Sequence, residues 1–115
     1  MVMRVFLAED DPQLCGLLFR TLKSMGHDVE AAGDGKDLLQ RAAAFAPNVV
    51  LSDIDLPLCD GIKAGLQMRR DLPGVPFVLM TSDPGRADEA RRSGFQVVLL
   101  KPFPSQELKT PLLSF

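Results

Sequence analysis

The chain has 115 residues and a formal net charge of −2, with 46 % hydrophobic and 24 % charged residues. That size suits one domain with an ordinary core, and the charge balance argues against a protein held to nucleic acid or an anionic membrane by net charge. Two cysteines, Cys15 and Cys59, and a short N-terminal apolar run that ends at Glu9-Asp10-Asp11 point to free thiols in the cytoplasm; no apolar stretch is long enough to cross a bilayer.

Five short apolar runs alternate with segments of helical period, the pattern of βα units around a parallel sheet. Residues 5–8 read as a first strand. Asp11 and Pro12 suit an N-cap and first helical position; Leu14, Leu17, Leu18, Leu22 and Met25 then recur at helical spacing until Gly26. Residues 27–32 read as a second strand, and Gly33-Asp34-Gly35 as a turn. A second helix carries Leu38, Leu39, Ala42 and Phe45 and ends at Pro47. Residues 48–52 form a third, fully buried strand, and a loop with Pro57 and Gly61 leads to a helix over 62–70. After the Pro73-Gly74 turn come a fourth strand over 75–80, a short helix running to Ser93 and capped by Gly94, and a fifth strand over 97–100. A last helix starts at 105–109, and Pro111 is expected to kink it or cut it short. The pattern gives one domain over residues 1–115, an α/β (βα)5 doubly wound sheet of flavodoxin-like type. The order 2-1-3-4-5 follows from that fold class, with a short fourth and a truncated fifth helix.

In such a sheet the side chains just past the carboxyl ends of the strands converge on one crevice. Glu9, Asp10 and Asp11 follow strand 1, Asp53 and Asp55 follow strand 3, Thr81, Ser82 and Asp83 follow strand 4, and Lys101-Pro102 follows strand 5. Each group alone has an ordinary reading: a helix cap, a turn or a solvated lysine. Together they do not, because clustered carboxylates repel one another unless a cation neutralises them. Mg²⁺ accepts one or two carboxylates plus a phosphoryl oxygen, and phosphoryl transfer asks mainly for positioning and charge neutralisation. The parts are present: Asp53 as a carboxylate nucleophile, Asp10 and Glu9 for the metal, Thr81 as hydroxyl donor and Lys101 as counter-charge. The one histidine, His27, begins strand 2 on the far side, so neither a Ser-His-Asp triad nor a zinc site fits.

The segments Val5-Phe6-Leu7-Ala8-Glu9-Asp10-Asp11, Leu51-Ser52-Asp53-Ile54-Asp55-Leu56-Pro57 with Asp60-Gly61, Met80-Thr81-Ser82 and Leu100-Lys101-Pro102-Phe103 resemble a response-regulator receiver domain, and the resemblance covers essentially the whole chain. It implies that Asp53 is the phosphoacceptor, that Glu9 and Asp10 serve Mg²⁺ (Asp10 the more direct ligand), and that the backbone carbonyl of Asp55 is a further ligand. Thr81 then matches the hydroxyl that moves toward the phosphoryl group, Ser82 the residue whose N–H contacts it, and Lys101 the lysine paired with its oxygens, with a cis bond before Pro102. The implied donor is a histidine kinase or a histidine phosphotransfer protein. The output is an unidentified downstream protein, with no direct role for nucleic acid or membrane.

The sequence departs from the family pattern where an aromatic switch residue often stands: here the position is Val98, and the chain has no Tyr or Trp. Asp55 and Asp83, two residues past Asp53 and Thr81, are candidates for tuning the phosphoryl site; the alternative is that both are solvated loop residues. Arg69-Arg70 and Arg91-Arg92 read as solvated helix faces, and Cys59 as an exposed loop residue near the site. Two other functions stay open at this stage. The Asp53-Ile54-Asp55 sequence mimics the nucleophile motif of a haloacid-dehalogenase-type phosphatase, although the acidic pair comes too early in the chain. The altered fifth-strand face suits a phosphorylation-independent scaffold. No output domain fits the chain, which is expected to be either a stand-alone regulator or a receiver cut from a longer protein.

Overall fold

The computed structural model describes residues 2–113. Its five strands are β1 (Arg4–Ala8), β2 (Asp28–Ala32), β3 (Val49–Asp53), β4 (Phe77–Thr81) and β5 (Val97–Leu100), all parallel and in the order 2-1-3-4-5. The helices between them are α1 (Pro12–Ser24), α2 (Gly35–Phe45), α3 (Gly61–Asp71) and α4 (Pro84–Arg92). A 3-10 turn (Ser105–Leu108) runs into the short α5 (Lys109–Leu113).

Alternation along the strands builds two cores, one on each face of the sheet. Val5, Leu7, Val49, Leu51, Val78 and Met80 face Leu18 and Leu22 of α1 and Leu108 and Leu112 at the C-terminal end. Phe6, Val50 and Leu79 face the other way, onto Leu38 and Ala42 of α2, Ala64 and Met68 of α3 and Ala90 of α4. Each fully buried leucine in these layers contributes about 2 kcal/mol relative to exposure. Helices on both faces leave one free crevice, at the carboxyl edge of the strands.

The helix starts were written into the sequence. Asp11, Asp34, Asp60 and Asp83 cap α1 to α4 with their side chains, each accepting a backbone N–H from the first turn. Gly26 and Gly94 take the left-handed conformation just past α1 and α4, with φ of 92° and 97°.

Strands β3 and β4 end one residue later than the apolar pattern suggests. Asp53 and Thr81 are polar, yet they remain in register with Met80 and Leu100, so the ladder continues through them. At its other end β4 starts at Phe77, because Pro76 has no N–H to give; its carbonyl still accepts from Val50. Pro111 neither kinks nor ends the last helix. The chain stays in a 3-10 turn to Leu108 and becomes α-helical at Lys109, which puts Pro111 in the first turn, where its missing N–H costs nothing.

Candidate functional site

The site is assembled by register. Ala8 pairs with Ala32 and Ser52, Asp53 with Met80 and Thr81 with Leu100, so all five strands end at one level. Glu9 N–H donates to the Ala32 carbonyl (3.0 Å) and Lys101 N–H to the Thr81 carbonyl (2.8 Å), which carries the alignment one residue past the strands.

Three carboxylates meet there. One oxygen from each of Glu9, Asp10 and Asp53 lies within 4.8 Å of the others. Glu9 and Asp53 are buried, at 2 % and 5 % exposure, while Asp10 faces solvent. The Lys101 ammonium donates to Glu9 Oε1 at 2.6 Å and to Asp53 Oδ2 at 3.0 Å. Glu9 uses its second oxygen to accept the Asp11 N–H at 3.1 Å. Both Glu9 carboxylate oxygens are thus engaged, whereas Asp10 makes no ion pair among the described residues.

Burial governs the protonation chemistry. Desolvation pushes the Glu9 and Asp53 pKa values above the ordinary carboxylate range, although the Lys101 hydrogen bond opposes it in both cases. Burial alone would lower Lys101, but its hydrogen bonds to Glu9 and Asp53 outweigh that and hold it above the ordinary lysine range. One ammonium against three carboxylates leaves the pocket short of positive charge. The donor set is all hard oxygen, with one exposed and unpaired carboxylate at the rim, and such a set fits a small divalent cation.

The second half of the site lies at β4 and α4. Thr81, fully buried, donates its hydroxyl to Asp55 Oδ2 at 3.1 Å and accepts the Asp83 N–H at 3.1 Å. The Asp55 N–H makes a long contact to Asp53 Oδ1, 3.4 Å. Asp83 turns its carboxylate to the Gly85 N–H at 2.8 Å, as the cap of α4. The Lys101–Pro102 peptide bond is cis. Val98 sits beside Leu79 in the sheet and is half-buried against the α3–α4 face. Cys59 is half-buried rather than exposed; its carbonyl lies against Gly35, where an added Cβ would be 1.8 Å from it. His27 is at the opposite edge of the sheet, where Nδ1 accepts the Met3 N–H.

Sequence reasoning missed Arg86. Its guanidinium reaches Asp55 at 3.4 Å, Glu89 at 2.6 Å and the carboxylate of Asp60. Asp60 meanwhile caps α3 through its other oxygen, so one arginine ties the starts of α3 and α4 to the loop after Asp53. A signal was available. Arg86 is the third residue of α4, where a cation opposes the helix dipole and needs carboxylates to hold it.

A doubly wound sheet with an acidic pair, a buried aspartate and a lysine converging at its carboxyl edge, and a buried hydroxyl beside them, defines the class of α/β module to which this chain belongs. The chain belongs to the response regulator receiver domain family, whose family model matches residues 5–112. It is 34 % identical over 110 residues to the DNA-binding response regulator MtrA of Mycolicibacterium smegmatis, covering 94 % of this chain and 48 % of that protein. It is also 34 % identical over 107 residues to the regulatory protein AtoC of Escherichia coli, covering 91 % of this chain and 23 % of that protein. The chain thus spans about half the length of MtrA and less of AtoC. Among solved structures, the receiver domain of sensor histidine kinase PA1611 from Pseudomonas aeruginosa, with a magnesium ion in its active-site cleft, matches at a TM-score of 0.89. That match has 27 % identity and covers 99 % of this chain and 97 % of that one. A putative response regulator from Chloroflexus aurantiacus shares the fold at a TM-score of 0.90 and 24 % identity, over 99 % of this chain and 97 % of that one. The module is therefore a phosphoacceptor signalling domain of two-component systems, and no described helix is long and apolar enough to cross a membrane.

Proposed function

We propose that Asp53 is the phosphoacceptor of this domain, and that residues 1–115 act as one receiver unit that is labelled stoichiometrically rather than turning over a substrate. The observation that carries the reading is the burial of Asp53 between the Glu9–Asp10 pair and the Lys101 ammonium. A carboxylate oxygen of Asp53 attacks phosphorus, the bond from phosphorus to the donor breaks, and an acyl phosphate forms. A histidine kinase or histidine phosphotransfer protein is the donor, its imidazole leaving as the P–N bond breaks. Lys101, already 3.0 Å from Asp53, supplies a counter-charge to the new phosphoryl oxygens. Thr81 gives its hydroxyl and Ser82 its N–H to the same group.

Mg²⁺ fits the donor set, with Asp10 and Asp53 as carboxylate ligands, the Asp55 backbone carbonyl beside them and Glu9 completing the acidic pair. Bound there, it would neutralise the oxygens that gather charge during transfer. Asp55 and Asp83 tune the lifetime of the acyl phosphate, Asp55 through its hold on Thr81 and Asp83 through the charge of its carboxylate just past β4. The output is a change in binding to a protein partner. Neither nucleic acid nor membrane is a direct ligand of this domain.

Intact-mass measurement with Mg²⁺ and acetyl phosphate tests the acceptor. The wild-type chain should gain one phosphoryl group and Asp53→Asn none; equal labelling of the two would remove Asp53 from the role. Phosphoryl lifetimes in Asp55→Asn and Asp83→Asn test the tuning, and lifetimes equal to wild type would end that part of the reading.

A further inference from the structure

Helix α4 begins with a cation where helices prefer an anion, and that cation is wired to the hydroxyl of the phosphoryl site. The connection has two arms. Thr81 Oγ accepts the N–H of Asp83, the cap of α4. Thr81 also donates its single hydroxyl proton to Asp55 Oδ2, while Asp55 Oδ1 accepts from Arg86 Nε. Arg86 is only a quarter exposed and its remaining nitrogens serve Asp60 and Glu89. Asp60 is fixed by capping α3, so Arg86 is anchored independently of Thr81.

We propose that Arg86 is a positioning residue of the phosphoryl site: through Asp55 it holds the Thr81 hydroxyl, and the capture of that hydroxyl by a phosphoryl oxygen loosens the tie between α4 and the β3–α3 loop. The inference rests on Asp53 being the phosphoacceptor and adds to it the path by which α4 responds. A hydroxyl has one proton to give. Thr81 cannot donate to Asp55 and to a phosphoryl group at once, so modification of Asp53 sets up a direct competition. Asp55 then loses a donor and is left with Arg86, which already divides its charge among three carboxylates. Asp55 is more than half exposed, which lets it reorient into solvent once Thr81 leaves, whereas Asp60 stays fixed by its helix cap. The contact that gives way is therefore Arg86–Asp55. The Val98 side chain offers no hydrogen-bonding group to Thr81, so the Asp55–Arg86 route is the side-chain path from the Thr81 hydroxyl proton to α4, beside the backbone arm through Asp83.

The test uses the whole chain, isotope-labelled for backbone amide spectra, with and without Mg²⁺ and beryllofluoride as a phosphoryl mimic. In the wild type, amides around Asp53, Thr81 and α4 should all shift. In Arg86→Gln the shifts near Asp53 and Thr81 should persist while those in α4 fall to less than half, and Arg86→Lys should restore part of them. In an Asp55→Ala background the α4 response should already be reduced, and Arg86→Gln should reduce it no further, as a double-mutant cycle requires for a shared path. An α4 response of wild-type size without Arg86, or an undiminished effect of Arg86→Gln in the Asp55→Ala background, would overturn the inference. The second result would reduce Arg86 to a brace for Asp60 and Glu89. A silent Asp53 region in the wild type is a different result, and it would sink the phosphoacceptor reading together with this one.

Discussion

Lys101 and Glu9 stand 92 residues apart in the chain and meet at 2.6 Å, Nζ to Oε1, with the glutamate buried. The contact exists because β1 and β5 end at the same edge, and it places one ammonium against two desolvated carboxyls. Replacing Lys101 by Met would leave Glu9 and Asp53 buried without that charge. We expect the metal-free protein to lose about 2–3 kcal/mol, toward the low end for a broken buried pair because the lysine retains some solvent. Urea unfolding with and without Mg²⁺ measures it. Saturating Mg²⁺ should recover part of the loss by binding the native site. An unchanged midpoint in the absence of metal would mean that Lys101 does not stabilise this edge.

The same burial makes a prediction about pH. Desolvation raises the Glu9 and Asp53 pKa values above their unfolded values, so the native state holds these protons more tightly than the unfolded chain does. Their contribution to stability is therefore fully present below the unfolded carboxylate range and is lost as pH rises through the raised native values. Lys101, held above its ordinary range, behaves alike but at alkaline pH, keeping its contribution through neutrality. In chelator, Asp53→Asn should raise Tm at neutral pH and flatten the fall of Tm between mildly acidic and neutral conditions. Thermal unfolding across that pH series reads both effects, and a variant less stable than wild type at neutral pH would contradict the sign.

Gly61 packs directly against the backbone of Asp53. A Cβ at this position would lie 2.2 Å from the Asp53 carbonyl oxygen and 2.9 Å from Ile54 Cα, both backbone atoms that no rotamer change can move aside. Gly61→Ala should therefore cost about 1–3 kcal/mol, as overpacking does, and, on the proposed role of Asp53, should slow labelling by acetyl phosphate because the Asp53 backbone has to shift. Wild-type stability and labelling together would show that the β3–α3 loop yields without disturbing Asp53.

How far the site was legible follows from where its parts come from. Glu9, Asp53, Thr81 and Lys101 each stand at or just past the end of a recognisable strand, so the fold class alone brings them together. The Asp11 cap and the glycines after α1 and α4 are local signals and were read as such, whereas Asp34, Asp60 and Asp83 cap their helices from turns whose sequence names no helix start. Arg86 was missed, because its place at the start of α4 signals a need for carboxylates without naming them, and its partners Asp55 and Asp60 belong to a loop of irregular backbone. Leu58, at φ 69° and exposed, is the sort of residue that gives no warning of a left-handed turn. The last helix is short, as expected, but the role of Pro111 was misread for a related reason. Pro111 signals a break only if the helix has already begun, and here the α-helical portion begins at Lys109.

Asp83 offers a prediction that separates its two jobs. Its carboxylate caps α4 at the Gly85 N–H, 2.8 Å away, while its backbone N–H donates to Thr81. α4 is nine residues long and begins with a cap that no acidic side chain of its first turn supplements, so loss of this oxygen should be felt over the whole helix. Asp83→Ala should cost about 1 kcal/mol, and Asp83→Asn, which keeps a capping oxygen, only a small part of that. Neither change removes the N–H that Thr81 accepts, so Asp53 labelling should persist in both. Urea unfolding gives the energies, and amide exchange shows whether the loss in Asp83→Ala falls on α4. Equal stability of the Ala variant and wild type would mean that the Arg86 cluster alone anchors the start of α4, and the cap would then be dispensable.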